Sequence, residues 1–263
     1  MIKDILTPDI LKEGRFWTHS KTLINGCTKV SPGCLNCWAE RISMNPFFGG
    51  KPENRFDGRV QEHPERLPEI LPKSSRRAPR VWTYWNDMFH EGVSKNFQKT
   101  FFNYLRNAKI DRCSPDYHII CTKRPENAVE FLTKDMSYYL RMIQEQVIIL
   151  ITMENQEMAE IRAPFVVQLS EMGWNMGVLC EPMLSLIDFN LTSLDPIYYD
   201  GFNSHLQWVI CGPENGTNKR PFDPQWALSL RDQCNKTGVP FYYKANKGVF
   251  RIGNNPALEL PDI

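Results

Sequence analysis

The stretch Gly26-Cys-Thr-Lys-Val-Ser-Pro-Gly-Cys-Leu-Asn-Cys-Trp-Ala-Glu40 places three thiols, Cys27, Cys34 and Cys37, within eleven residues. Gly and Pro punctuate it and an aromatic, Trp38, follows the last cysteine at once. Thiolates select zinc, copper(I) or iron–sulfur clusters, and four of them would close such a site. Three leave one metal position open. A structural zinc needs a fourth N or S ligand, and His19 is the only nearby candidate. The six-residue gap between Cys27 and Cys34 is wide for a zinc knuckle, and no second Cys-x-x-Cys exists in the chain. A four-iron cluster fits three thiolates better, because the fourth iron then keeps open coordination for a chelating molecule.

Bulk properties narrow the setting. The 263 residues suffice for one large α/β domain, and 42% apolar residues is ordinary for a chain with a buried core. A single domain over 1–263 is therefore expected. Net charge is +1 and the pI near 7.6, so no global field draws the protein to nucleic acid or membrane, and a polyanion would need a local patch. The sequence contains no apolar run near eighteen residues, and Met1-Ile-Lys-Asp-Ile-Leu-Thr-Pro8 lacks a signal-peptide pattern, so a cytoplasmic protein is expected. In a reducing compartment clustered cysteines point to metal or redox chemistry rather than disulfides. Of the other five, Cys121, Cys180 and Cys211 end apolar runs and are expected to pack as small hydrophobes.

Outward from the cysteine loop, short β-rich runs alternate with segments of helical period. The runs are Arg80–Tyr84, Tyr117–Thr122, Val147–Thr152, Gly177–Cys180, Leu206–Cys211 and Pro240–Lys244, with a further strand near Phe16–Ile24. Continuous apolar runs of this length suit strands of a parallel sheet buried on both faces. Residues 96–108, 126–132, 155–169 and 224–237 read as crossover helices, the last started by Asp223-Pro224 and stopped by Gly238. Repeated strand–helix units give a doubly wound sheet or a full or partial (β/α) barrel, and in both the ligand groups gather beyond the strand C-termini. Asn86-Asp87, Lys123-Arg124, Glu154-Asn155, Glu181 and Gly212-Pro-Glu214-Asn215 follow five successive runs. Residues 43–79, rich in Pro, Gly and basic residues, read as a lid or insertion; its run Lys73-Ser-Ser-Arg-Arg-Ala-Pro-Arg80 could meet phosphates or face solvent.

With these pieces assembled, the chain resembles a radical S-adenosylmethionine (SAM) enzyme, and more closely the phage-associated three-cysteine family long described only as a phage protein of unknown function. The matching stretches are Gly26–Arg41, Asn86–His90, Thr122–Pro125, Thr152–Asn155, Cys180–Met183, Trp208–Gly216 and Val239–Lys244. The resemblance implies a partial (β/α)6 barrel, a [4Fe–4S] cluster on Cys27, Cys34 and Cys37, and SAM chelating the unique iron. It implies that Trp38, Asn86, Asp87, Thr152, Gly212 and Glu214 bind the cofactor, Asn86-Asp87 near its amino group and Val209–Glu214 beside its adenine. One departure is the first gap, C-x6-C-x2-C here against the usual C-x3-C-x2-C. Lys123, Arg124, Glu154 and Glu181 are the candidates for holding substrate during hydrogen abstraction, with Asn155, Arg220 and Lys244 as further polar anchors.

A phage-type enzyme of this kind implies a DNA substrate. The chemistry suits an isomerase of hypermodified thymine that moves a glycyl group from nitrogen to carbon linkage after abstraction of its α-hydrogen. The basic run and Phe47, Phe48 and Phe56 could then hold DNA or a flipped base. An external electron donor is implied as a partner. The competing readings are a radical SAM enzyme for a peptide or small metabolite, and a structural zinc module that binds nucleic acid.

Overall fold

β-Branched and aromatic runs become strands where the sequence places them, and the computed structural model describes residues 16–48, 50–51, 55–71, 79–134, 139–190, 201–215, 218–244 and 250–253. Two compact units result, and their division falls inside the cysteine loop and inside a strand rather than at a linker. The first holds residues 17–30 and 37–149; the second holds residues 31–36 and those from 150 onward, with Phe16.

The first unit contains β1 (His19–Thr22), β2 (Ile24–Asn25), helix α1 (Trp38–Met44), β3 (Gln61–Glu62), β4 (Val81–Trp85), α2 (Lys95–Arg112), β5 (Tyr117–Thr122), α3 (Pro125–Lys134) and the first half of β6 (Val147–Thr152). β1 and β5 flank β4, both parallel to it, with His19 opposite Trp82 and Trp82 opposite His118. β6 follows β5 in the sheet. β2 and β3 form a separate antiparallel pair. Helix α2 begins one residue earlier than its periodicity suggests, because Ser94 caps it by accepting from the Phe97 amide, and it runs on to Arg112. Its Phe101 and Phe102 meet Tyr84, Phe89 and Phe131 at ring separations of 4.9 to 6.4 Å, forming an aromatic core.

The second unit contains the rest of β6, α4 (Gln156–Glu171), β7 (Asn175–Cys180), β8 (Trp208–Cys211), α5 (Pro224–Thr237), β9 (Phe241–Lys244) and β10 (Phe250–Gly253). The order is β6-β7-β8-β9-β10, with β7, β8 and β9 parallel and β10 antiparallel to β9. Asn155 caps α4 and Asp223 caps α5 through their side chains, and Gly238 ends α5 in the left-handed conformation. The fold is thus mixed α/β, with parallel strands separated by helices. No helix among the described residues is long and apolar enough to cross a membrane.

The stretch 43–79 differs from a free-standing lid. Its β3 pairs with β2, and Leu67 and Ile70 of the turn Pro64–Ile70 are buried. Lys73, Arg76 and Arg77 of the basic run lie outside the described residues. Arg80, its last cation, is turned inward: it holds Asp116 at 2.7 Å and lies 4.6 Å over Trp82. Cys180 and Cys211 are buried as expected, but Cys121 is only half-buried, and Cys234 joins the buried set through α5.

His118 on β5 is buried and shares a 2.7 Å hydrogen bond with the Tyr84 hydroxyl. Burial, only partly offset by Asp116, pushes its imidazole down to about 4 from the ordinary 6.5. The unfolded chain therefore binds a proton at this residue that the folded one refuses. Its contribution to stability is full above pH 6.5 and fades as pH falls toward 4, by about 3 kcal/mol in all. Urea titrations across that window should show stability falling with pH, and a His118→Gln chain should lose most of the slope; an unchanged slope would contradict the assignment.

Candidate functional site

Gly26 opens the cysteine loop with φ at +88°, and a Cβ there would sit 1.9 Å from the Arg59 carbonyl oxygen, so only glycine allows this entry. The Gly58 amide then donates to the Cys27 carbonyl. Beside it, Arg124 lies at the end of β5, 3% exposed. Its Nη2 donates to the carbonyl and hydroxyl of Thr28, its Nε to Glu91, and its Nη1 to Asp87 at 3.2 Å and to Cys27 Sγ at 3.7 Å. Thr28 Oγ1 donates to Glu91 and faces His90 Nε2 at 3.0 Å. Because His90 Nδ1 accepts from the Gly92 amide, the neutral ring carries its proton on Nε2 and donates to Thr28. Burial and the Arg124 charge lower the His90 pKa and keep that ring neutral.

Asp87 joins the ends of β4 and β5. Its Oδ1 accepts from the Phe89 amide and the Thr122 hydroxyl, and its Oδ2 from the Lys123 amide as well as Arg124. Burial opposes charge on Arg124, but Asp87, Cys27 and Glu91 outweigh it and hold its pKa above the ordinary arginine value. Burial likewise opposes charge on Glu91, yet its backbone amide, Arg124 and Thr28 bring that carboxyl down to about 2. Asn86 sits in the left-handed region at φ 65°, which asparagine tolerates better than most residues, and its amide donates to the Ile24 carbonyl. Trp38 starts α1 just after Cys37, is 40% exposed, and meets Trp85 edge-on at 5.1 Å.

In the second unit the segment 31–36 is held from the ends of β6 and β8. Glu154 is fully buried; its Oε1 accepts from the Gly33 amide at 3.0 Å and its Oε2 from Arg162 at 2.8 Å. Arg162, on α4, also donates to the Thr152 carbonyl at 2.7 Å. A Cβ on Gly33 would stand 3.0 Å from the Glu154 carboxyl carbon, so the turn approaches the carboxylate as closely as a glycine permits. Glu214, beyond β8, accepts from the Asn36 amide at 2.9 Å and pairs with Arg220, whose Nη1 donates to the Pro32 carbonyl. Burial disfavours its charge, but Arg220 and Asn36 lower its carboxyl to about 2.

The sequence-derived residues thus divide by what they touch. Arg124, Glu154, Glu214 and Arg220, expected to meet substrate or SAM, hold Cys27-Thr28, Gly33, Asn36 and Pro32 of the loop. Asp87 and Asn86 spend their polar atoms within the first unit, Asn155 caps α4, and Thr152 binds Arg162. Glu181 pairs with Lys244 of β9 and accepts from Asn215 at 2.9 Å. The backbone of Gly212 passes Lys244 so closely that a Cβ would lie 2.9 Å from its carbonyl oxygen. Lys123 is half-buried and gives its amide to Asp87. Thr28, Glu91, His90, Gly33, Asn36 and Arg162 were not singled out in the sequence. Gly33, Asn36 and Thr28 carried a signal by lying between the cysteines, and His90 by ending the matching stretch Asn86–His90.

Each of the three loop cysteines is a half-buried thiol outside any disulfide. Among the described residues, no group of three or more His, Cys, Asp or Glu side chains is arranged to hold a metal ion. The donor chemistry nonetheless fits a soft, thiolate-bound group: three accessible sulfurs in eleven residues, and a guanidinium beside Cys27 to offset thiolate charge. His19, the nearest candidate for a fourth zinc ligand, bonds Thr18 and lies 5.0 Å from the Trp82 ring.

The profile of a family described as a protein of unknown function, DUF5131, matches residues 15–254. Neither a search of curated proteins nor one of solved structures returned a match.

Removing one partner of a buried ion pair typically costs ~3–5 kcal/mol, because the other charge is left without compensation. Arg162→Met strands the Glu154 carboxylate in this way and should lower unfolding stability by that order in urea titration. A change under about 1 kcal/mol would show that the pair is not buried as described.

Proposed function

We propose that this chain, which belongs to the DUF5131 family of proteins of unknown function, is a radical SAM enzyme of the cytoplasm built on a partial (β/α)6 barrel. The observation that carries the reading is a loop with three half-buried thiols, whose intervening residues Thr28, Pro32, Gly33 and Asn36 are held by strand-end charges. Parallel strands alternating with helices, with the polar groups at their C-terminal ends, support the barrel.

Cys27, Cys34 and Cys37 would hold a [4Fe–4S] cluster, and Trp38, Asn86, Asp87, Thr152, Gly212 and Glu214 would surround SAM. When bound, this pair supplies a carbon radical able to take hydrogen from an unactivated carbon. The protein's part is to hold the loop, orient the target C–H and exclude water. Arg124, Glu154 and Glu214 perform the first task. Glu181 with Lys244 and Asn215, and Lys123, suit the second. A paired acceptor and cation match the amine and carboxylate of an amino-acid group. This supports an isomerase acting on an N-linked glycyl thymine in modified DNA, with an external electron donor.

Anaerobic reconstitution with iron and sulfide should give a brown protein, and dithionite should then drive cleavage of SAM to 5′-deoxyadenosine. Cys37→Ala should form none. A colourless chain holding one zinc would overturn the assignment. For the substrate, nucleosides from treated glycyl-modified DNA should keep their mass and change retention and fragmentation; unaltered nucleosides would reject the DNA reading.

A further inference from the structure

We infer that Arg124 is a positioning residue that sets the reduction potential of the metal group on Cys27, an inference that rests on the proposed cluster. A guanidinium has five N–H donors in a rigid fork. Here the contacts number five: Glu91 from Nε, Asp87 and Cys27 Sγ from Nη1, and the carbonyl and hydroxyl of Thr28 from Nη2. The fork cannot swing away from the sulfur without surrendering the other four bonds. Its side chain is 3% exposed, so water does little to screen its charge.

Hydrogen bonds to ligating sulfurs, local charge and burial are the protein's means of tuning such clusters. Reduction adds one negative charge to the cluster and its thiolates. A buried cation donating to one of those sulfurs stabilises the reduced state and raises the potential. Asp87 and Glu91 oppose it, and their strengths differ. Asp87 is buried and consumed in four bonds, whereas the Glu91 side chain is 57% exposed and touches the site through Arg124, Thr28 and the His90 ring. Glu91 is therefore the charge that can be removed with least disturbance to the fold.

The test is a dye-mediated redox titration of the reconstituted full-length chain, without SAM, followed by electron paramagnetic resonance. Arg124→Gln should lower the midpoint by at least a tenfold change in the reduced-to-oxidised ratio at fixed poise, about 59 mV for one electron. Arg124→Lys should fall between that variant and the unaltered chain. Glu91→Gln should move the midpoint the opposite way. Iron-replete Arg124→Gln protein with an unaltered potential would overturn the inference, even if the metal-free variant melted at a lower temperature. Should Arg124→Gln fail to retain iron, the sign for Glu91→Gln decides: a higher midpoint supports the inference, and an unchanged or lower one overturns it. An unaltered chain that binds no cluster would instead overturn the radical SAM reading itself, before any variant is made.

Discussion

A carboxylate with no exposure to water, that of Glu154, is the constraint on which the second unit's part of the cysteine loop depends. A buried charge is tolerated only when paired and hydrogen-bonded. Arg162 supplies the opposite charge from α4, and the Gly33 amide supplies a donor from the loop. The demand of one anion for donors therefore ties a helix, the end of β6 and a three-residue turn together. The turn carries Cys34 as its last residue, so the position of that thiol follows from electrostatics two elements away.

The same solution recurs at other strand ends within each unit. Asp87 and Arg124 join β4 to β5 and fix Cys27 and Thr28; Glu214 and Arg220 fix Pro32 and Asn36. Asp87, Glu154 and Glu214 are each neutralised by an arginine where they stand. These pairs gain less from Coulomb attraction than from position, since desolvation offsets most of the former. The Glu181–Lys244 pair is a further strand-end pair, with side-chain exposures of 11% and 23%.

Much of this was legible in advance. Apolar runs ending in polar clusters marked β4 to β9, and Asp223-Pro224 with Gly238 bounded α5 within a residue. What periodicity could not show was capping by Ser94, which moved the start of α2, or the turn Phe202–His205, which displaced the start of β8 from Leu206 to Trp208. The strand-end residues stood out as a group, but what each one touches did not. A charge at a strand end looks the same in sequence whether it faces a ligand or a backbone amide, and the difference lies in contacts spanning 96 to 188 positions of chain. Arg162, the single cation of α4, was hidden for the same reason. Arg80 was misread as part of a basic run because Asp116, its partner, lies 36 residues away.

The central claim is that the chain itself holds the cysteine loop in place before any group binds. Amide hydrogen exchange at Gly33 in the metal-free protein tests it most directly, since that N–H is committed to a buried carboxylate. The account predicts exchange slowed at least about a hundredfold relative to an unstructured peptide, an opening free energy of about 2.8 kcal/mol. Exchange at the rate of an open loop would contradict it.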